Sequence, residues 1–206
     1  MSEPSFRPQD DLEVISCSVV RPELEHLRQS GEFPYPVSYI DSEMHMRPQE
    51  LGQTIGRRLQ TLLRAGKRVL LVYGDCHAAM VDMEQSPRVS RTEALNCVEL
   101  LISKQQRREW LERRFFFLLP EWLERWESIL LRLPGMTREQ CIDLFHREHR
   151  GLVYLDTGVI PTPTVNLLQC SETLALLYEI LPTGLDHFRS VLHLALLKLH
   201  REDART

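Results

Sequence analysis

Glycine is scarce in this 206-residue chain, at 9 residues, and neither G-x-G-x-x-G nor G-x-x-x-x-G-K-[ST] occurs. Both phosphate-binding loops need glycine where backbone closes on a phosphate, so the sequence gives no support for a nucleotide site of either kind. It also lacks G-x-S-x-G, the strand-to-helix elbow of serine hydrolases. No apolar run approaches the ~20 residues that cross a bilayer. The opening MSEPSFRPQDDLE is polar and acidic, without the apolar stretch of a secretory signal. Basic residues are not in excess: 25 Lys and Arg face 29 Asp and Glu, for a net charge of -4. Neither nucleic acid nor an anionic membrane finds a basic footprint here. A cytoplasmic protein with no nucleic-acid and no membrane partner is expected.

Cysteine is sparse too. The five, at 17, 76, 97, 141 and 170, are odd in number and form no C-x-x-C. In a reducing compartment such thiols are buried small side chains, nucleophiles or metal ligands rather than disulfides.

What is present is an ordinary globular mixture, 43% hydrophobic and 26% charged, at a length that suits one domain. The expected layout is a flexible tail over 1–11, one α/β domain over 12–200 and a polar tail over 201–206. β-branched residues predict a strand from Leu12 to Val20, and Pro22 opens a helix that stops at Gly31. A strand near Val37 to Asp41 precedes an amphipathic helix opened by Pro48. The continuous apolar run from Arg68 to Tyr73 reads as a central parallel strand, with a possible short strand near 88–93. A helix from Ala94 to Arg114, a strand over 115–119, and helices over 121–133 and 137–149 follow. A strand over 152–155, a helix near 164–175, a strand over 176–181 and a helix over 185–200 complete the chain. Alternation of this kind implies a mostly parallel, Rossmann-like sheet with helices on both faces.

Parallel sheets bind ligands beyond the carboxyl ends of their strands. Cys17, His45, Asp75-Cys76-His77, Asn96-Cys97 and Asp156 all fall at such ends, whereas Cys141 and Cys170 fall inside helices. Thiolates with an imidazole suit zinc or iron. Three Cys with a His would close a structural zinc site, and three Cys alone would leave one position open for catalytic zinc or an iron–sulfur cluster. Asp75 and Asp156 are the acid–base candidates. His146 and His149 read as a solvated helix end, and Trp122 with Trp126 as a packing stripe.

Several patches resemble the bacterial and archaeal family catalogued as domain of unknown function 1638, over roughly residues 13–190. They are Cys17, Met44-His-Met-Arg-Pro48, Tyr73-Gly-Asp-Cys76, Cys97, Leu152-Val-Tyr-Leu155 and Thr183-Gly184. The resemblance implies that Cys17, His45, Cys76 and Cys97 form a common site, and it associates some members with corrinoid-dependent methyl transfer. The chain departs from that pattern at His77, where relatives have Gly, and at Asn96, where many have His. His77 is then either a substitute imidazole or a sign of a drifted loop.

The expected function is a metal- or iron–sulfur-dependent protein, as an enzyme on a small-molecule substrate. Cys17, Cys76 and Cys97 would be thiolates, and His45 or His77 a fourth ligand or acid–base group. The rivals are a non-catalytic α/β partner protein with packed cysteines, and an enzyme whose nucleophile is Cys76. No motif encodes the metal, the reaction or the oligomeric state.

Overall fold

Runs of Val, Ile, Leu and Phe too short for buried helices become strands, and every strand pair is parallel. The computed structural model describes residues 11–75 and 80–203. Strands β1 (Leu12–Cys17), β2 (Val37–Ile40), β3 (Arg68–Val72) and β4 (Val89–Arg91) pair in the order β2-β1-β3-β4. Strands β5 (Phe115–Leu118), β6 (Gly151–Asp156) and β7 (Leu177–Pro182) form a second sheet in the order β5-β6-β7. The expected parallel α/β architecture is present, divided between two sheets. The helices are α1 (Arg21–Gln29), α2 (Pro48–Arg64), α3 (Met80–Met83), α4 (Val98–Leu101), α5 (Lys104–Glu112), α6 (Pro120–Glu124), α7 (Trp126–Leu130), α8 (Arg138–Glu148), α9 (Thr164–Leu174) and α10 (Asp186–Asp203). Among the described residues, no helix is long and apolar enough to cross a membrane.

Some boundaries differ from the sequence expectation for local reasons. β1 stops at Cys17, and Ser18–Val20 turns as a 3-10 helix into α1. The helix expected over 94–114 breaks at Ile102, which is extended at φ -136, ψ 157. Ser103 then caps α5 in a reciprocal box with Gln106. α10 continues past residue 200 to Asp203. Asp11, assigned to the tail, pairs with Arg68 at 3.0 Å.

Two cores result. The larger joins both sheets: Val14, Ile15 and Leu70 of the first meet Phe117, Val153 and Leu155 of the second, along with Phe188 and Leu192 of α10. The smaller lies on the other side of β6, where Leu152 and Tyr154 pack with α8 and α9. The strand's two-residue period sends alternate side chains to the two cores. Cys141 and Cys170 are buried in this smaller core, and desolvation pushes the Cys170 thiol up to about 12. They are packing residues, as their helical positions led us to expect.

A buried polar contact ties α1 to the end of β6. Glu23 of α1 is fully buried and accepts a hydrogen bond of 2.9 Å from Thr157, just past β6. Its second carboxylate oxygen has no hydrogen-bond partner among the described residues. Burial, only partly offset by hydrogen bonds from backbone and Thr157, pushes its pKa up to about 7. The folded state therefore holds this proton more tightly than the unfolded chain. The stability benefit is fully present below pH ~4.5 and is lost as pH rises to about 7. Glu23→Gln is expected to flatten this slope: relative to wild type it gains on the order of 3 kcal/mol between pH 4.5 and 8, measured by urea unfolding.

Candidate metal centre

In the first sheet the chain runs from β1 to β2 on one side and then crosses to β3 on the other. The strand order thus reverses between β1 and β3, where open parallel sheets hold their ligands. Cys17 ends β1, and His45 sits in the 3-10 turn Ser42–Met46 that follows β2. Cys97 precedes α4 in the loop beyond β4. These three residues, 28 and 52 positions apart along the chain, bring two sulfurs and a ring nitrogen within 4.8 Å of one another. A tetrahedral ion with bonds of 2.0–2.3 Å needs ligand atoms about 3.5–3.8 Å apart, so the spacing is close to that of a single coordination sphere. Cys17 and Cys97 are buried and His45 half-buried.

The imidazole is set by its neighbours. His45 Nδ1 lies 2.8 Å from the Ser42 carbonyl, which can only accept, so Nδ1 carries the proton and Nε2 the lone pair. Ser42 is held in turn. Its N–H donates to Ser18 Oγ at 2.9 Å, and its hydroxyl donates to Glu121 Oε2 at 2.9 Å. Ser18, adjacent to Cys17, donates to the other Glu121 oxygen at 3.3 Å. One carboxylate on α6 thereby joins the turn after β1 to the turn after β2. Arg125 pairs with Glu121 and also reaches Asp41 at 3.2 Å and Glu43 at 3.3 Å. The Glu43 N–H and Arg125 keep the Asp41 carboxyl below its usual range, so it stays ionised as the cap of the His45 turn. Removing such an outer-shell partner typically weakens metal binding 10–100-fold. Glu121→Ala is expected to do so, as read by competition with a chromophoric zinc chelator.

Cys97 is positioned by backbone. Thr92 donates to the Tyr73 carbonyl at 2.7 Å, and the Asp75 N–H donates to the Ala94 carbonyl at 2.9 Å. The segments leaving β3 and β4 therefore run side by side. A Cβ on Gly74 would lie 2.4 Å from Asn96 Cα, so only glycine admits this approach.

The other expected site residues divide. Cys76 and His77 lie outside the described residues. Asp75 is half-exposed and paired with Arg91 at 2.6 Å. Asp156 ends β6 in the second sheet, and its carboxylate accepts from the Gly158 N–H and the Thr162 hydroxyl. The structure does not bring Asp75 or Asp156 into the cysteine–histidine group.

His45 and Cys97 also line a cavity of about 250 Å³, with Phe115, Phe117, Trp122 and His149 among its other walls. A neighbouring cavity of about 540 Å³ shares His45, Phe116 and Trp122 and continues to Phe145. The candidate donor atoms sit at the carboxyl ends of first-sheet strands and in the loops beyond them, and much of the apolar wall comes from β5 and α6. His149, read from sequence as part of a solvated helix end, is half-buried against Phe116 and Phe145. Desolvation lowers its pKa, so it faces the cavity as a neutral imidazole near pH 7. Glu121 and Arg125 escaped the sequence reading, and His149 was assigned there to a solvated surface. The only hints were the acidic first turn behind Pro120 and the aromatic spacing of Phe145 and His149.

The family model described as "Protein of unknown function (DUF1638)" matches residues 39–192. No curated protein and no solved structure matches significantly.

Proposed function

The chain belongs to this family of unknown function, DUF1638, and we propose that it is a metal-dependent enzyme acting on a small molecule with an apolar body. The observation that carries the reading is the convergence of Cys17, His45 and Cys97, whose sulfurs and ring nitrogen lie within 4.8 Å of one another. The donor set fits a soft or borderline ion, and its tightness favours one ion over a cluster. The cysteines of a four-iron, four-sulfur cluster each hold a different iron and so stand further apart than ligands of a single tetrahedron. Zinc bound there would supply Lewis acidity toward a thiol or water in the remaining position.

The chain's own residues do the rest. Ser42 and Glu121 fix the imidazole. The aromatic walls beside His45 and Cys97 exclude water and hold the substrate's apolar body. Cys76, the next residue after the anchored Asp75, is the proposed third thiolate and would occupy that remaining position, from which substrate or water would have to displace it. His77 is the alternative imidazole, and Asp75 is left out because its exposed carboxylate is paired with Arg91. Asp156 is left out of the reading because its carboxylate is engaged in its own loop.

The test is anaerobic purification followed by elemental analysis and a visible spectrum, repeated after cobalt substitution. A colourless protein with about one zinc per chain, turning to an intense thiolate–cobalt spectrum, is expected. A brown protein with several irons would replace the single ion by a cluster. Protein without metal that does not take up zinc or cobalt would leave the cysteines as packing residues.

A further inference from the structure

Most sheet edges of this protein are covered: β4 is buried throughout, β5 is largely buried, and β2 is mostly half-buried. β7 is not. It pairs with β6 alone among the described residues, and four of its six residues are exposed in a row. Leu177 is 78% exposed, Tyr178 37% and Ile180 42%. Edge strands are normally protected by lysine, mid-strand proline, bulges or a covering element. β7 has no lysine, its proline comes only at position 182, and its single charge, Glu179, is neutralised by Arg113 of the same chain.

We propose that β7 is the seam of a homodimer, in which the three-stranded sheets of two copies join edge to edge about a two-fold axis perpendicular to the sheet. An edge strand is its own complement in that arrangement, because the axis reverses the strand direction and pairs it antiparallel with its copy. Chemistry selects the register. Centring the axis on Glu179 would set two carboxylates opposite each other, a destabilising pair. Centring it on Ile180 sets Ile180 against its own copy, Tyr178 against Pro182 and Glu179 against Leu181. α9 packs beside β7 and exposes Val165 and Leu168, at 65% and 48%. With β7 these residues present on the order of 500 Å² of apolar surface per copy, against the ~800 Å² per partner of a standard stable interface. The backbone edge of β7 adds to this area in the paired arrangement.

The experiment is light scattering on the full chain across the micromolar range, alongside Ile180→Lys and Ile180→Cys. The expected mass is twice the 24.1 kDa of the chain. Ile180→Lys is expected to halve it with an unchanged circular dichroism spectrum. Ile180→Cys is expected to form a disulfide-linked dimer on mild oxidation that wild type does not. A single-chain mass throughout, or a dimer that survives Ile180→Lys, would overturn the proposal.

Discussion

Replacing Cys97 by serine is expected to abolish the proposed uptake of zinc while leaving the fold in place. Structural zinc sites hold their ion by roughly 10–16 kcal/mol in apparent terms, so one donor of four is worth about 2.5–4 kcal/mol, roughly 10²–10³-fold in affinity. Serine fills nearly the same space, but its hydroxyl does not ionise near neutral pH and is too hard a donor for the site. The same loss is expected for Cys17→Ser, since the two sulfurs belong to one group. Cys141→Ser and Cys170→Ser are the controls, because both thiols lie in the smaller core. They should lower the unfolding midpoint and leave metal content unchanged. Equal metal content in all four variants would end the case for the site.

Gly74→Ala is the second large effect, and it acts without touching a donor atom. The added methyl would meet three backbone atoms of Asn96, at 2.4, 2.6 and 2.7 Å. Backbone cannot rotate away as a side chain can, so one of the two adjoining segments must move. Overpacking of this kind costs typically 1–3 kcal/mol, and more where nothing yields. Asn96 is bonded directly to Cys97, so relief of the clash is expected to move that sulfur out of the coordination sphere. The variant should lose both stability and metal, whereas Gly31→Ala, which meets no atom within 4 Å, should lose stability alone through its positive φ of 79°. Retention of full metal content by Gly74→Ala would show that the Cys97 loop is not set by this contact.

Local patterns told most about local structure. Pro22 and Pro48 marked helix starts because proline's fixed φ suits the first turn, and the run from Arg68 to Tyr73 marked a doubly covered strand. Cys17, His45 and Cys97 were legible as a group through the parallel-sheet rule that strand ends converge and through the family resemblance. The break at Ile102 was legible in principle, since Ser103 and Gln106 spell a capping box, but the surrounding helical periodicity outweighed it. The division into two sheets was not legible, because it depends on which strands pair and each strand carries the same apolar code. Nor was the Glu121 carboxylate. It lies 103 residues from Ser18 and 79 from Ser42, and no sequence pattern reports a hydrogen bond made only when two remote helical turns meet.

That carboxylate has a thermodynamic corollary. Glu121 belongs to the half of the chain that builds the second sheet, while the turns it grips carry donors from the first. If seating α6 tightens the ion's hold, linkage requires that the ion tighten the seating of α6 by the same factor. Loading the site would then rigidify the aromatic wall as well, and slowed amide exchange along α6 and β5 would be the signature of cargo bound some distance away.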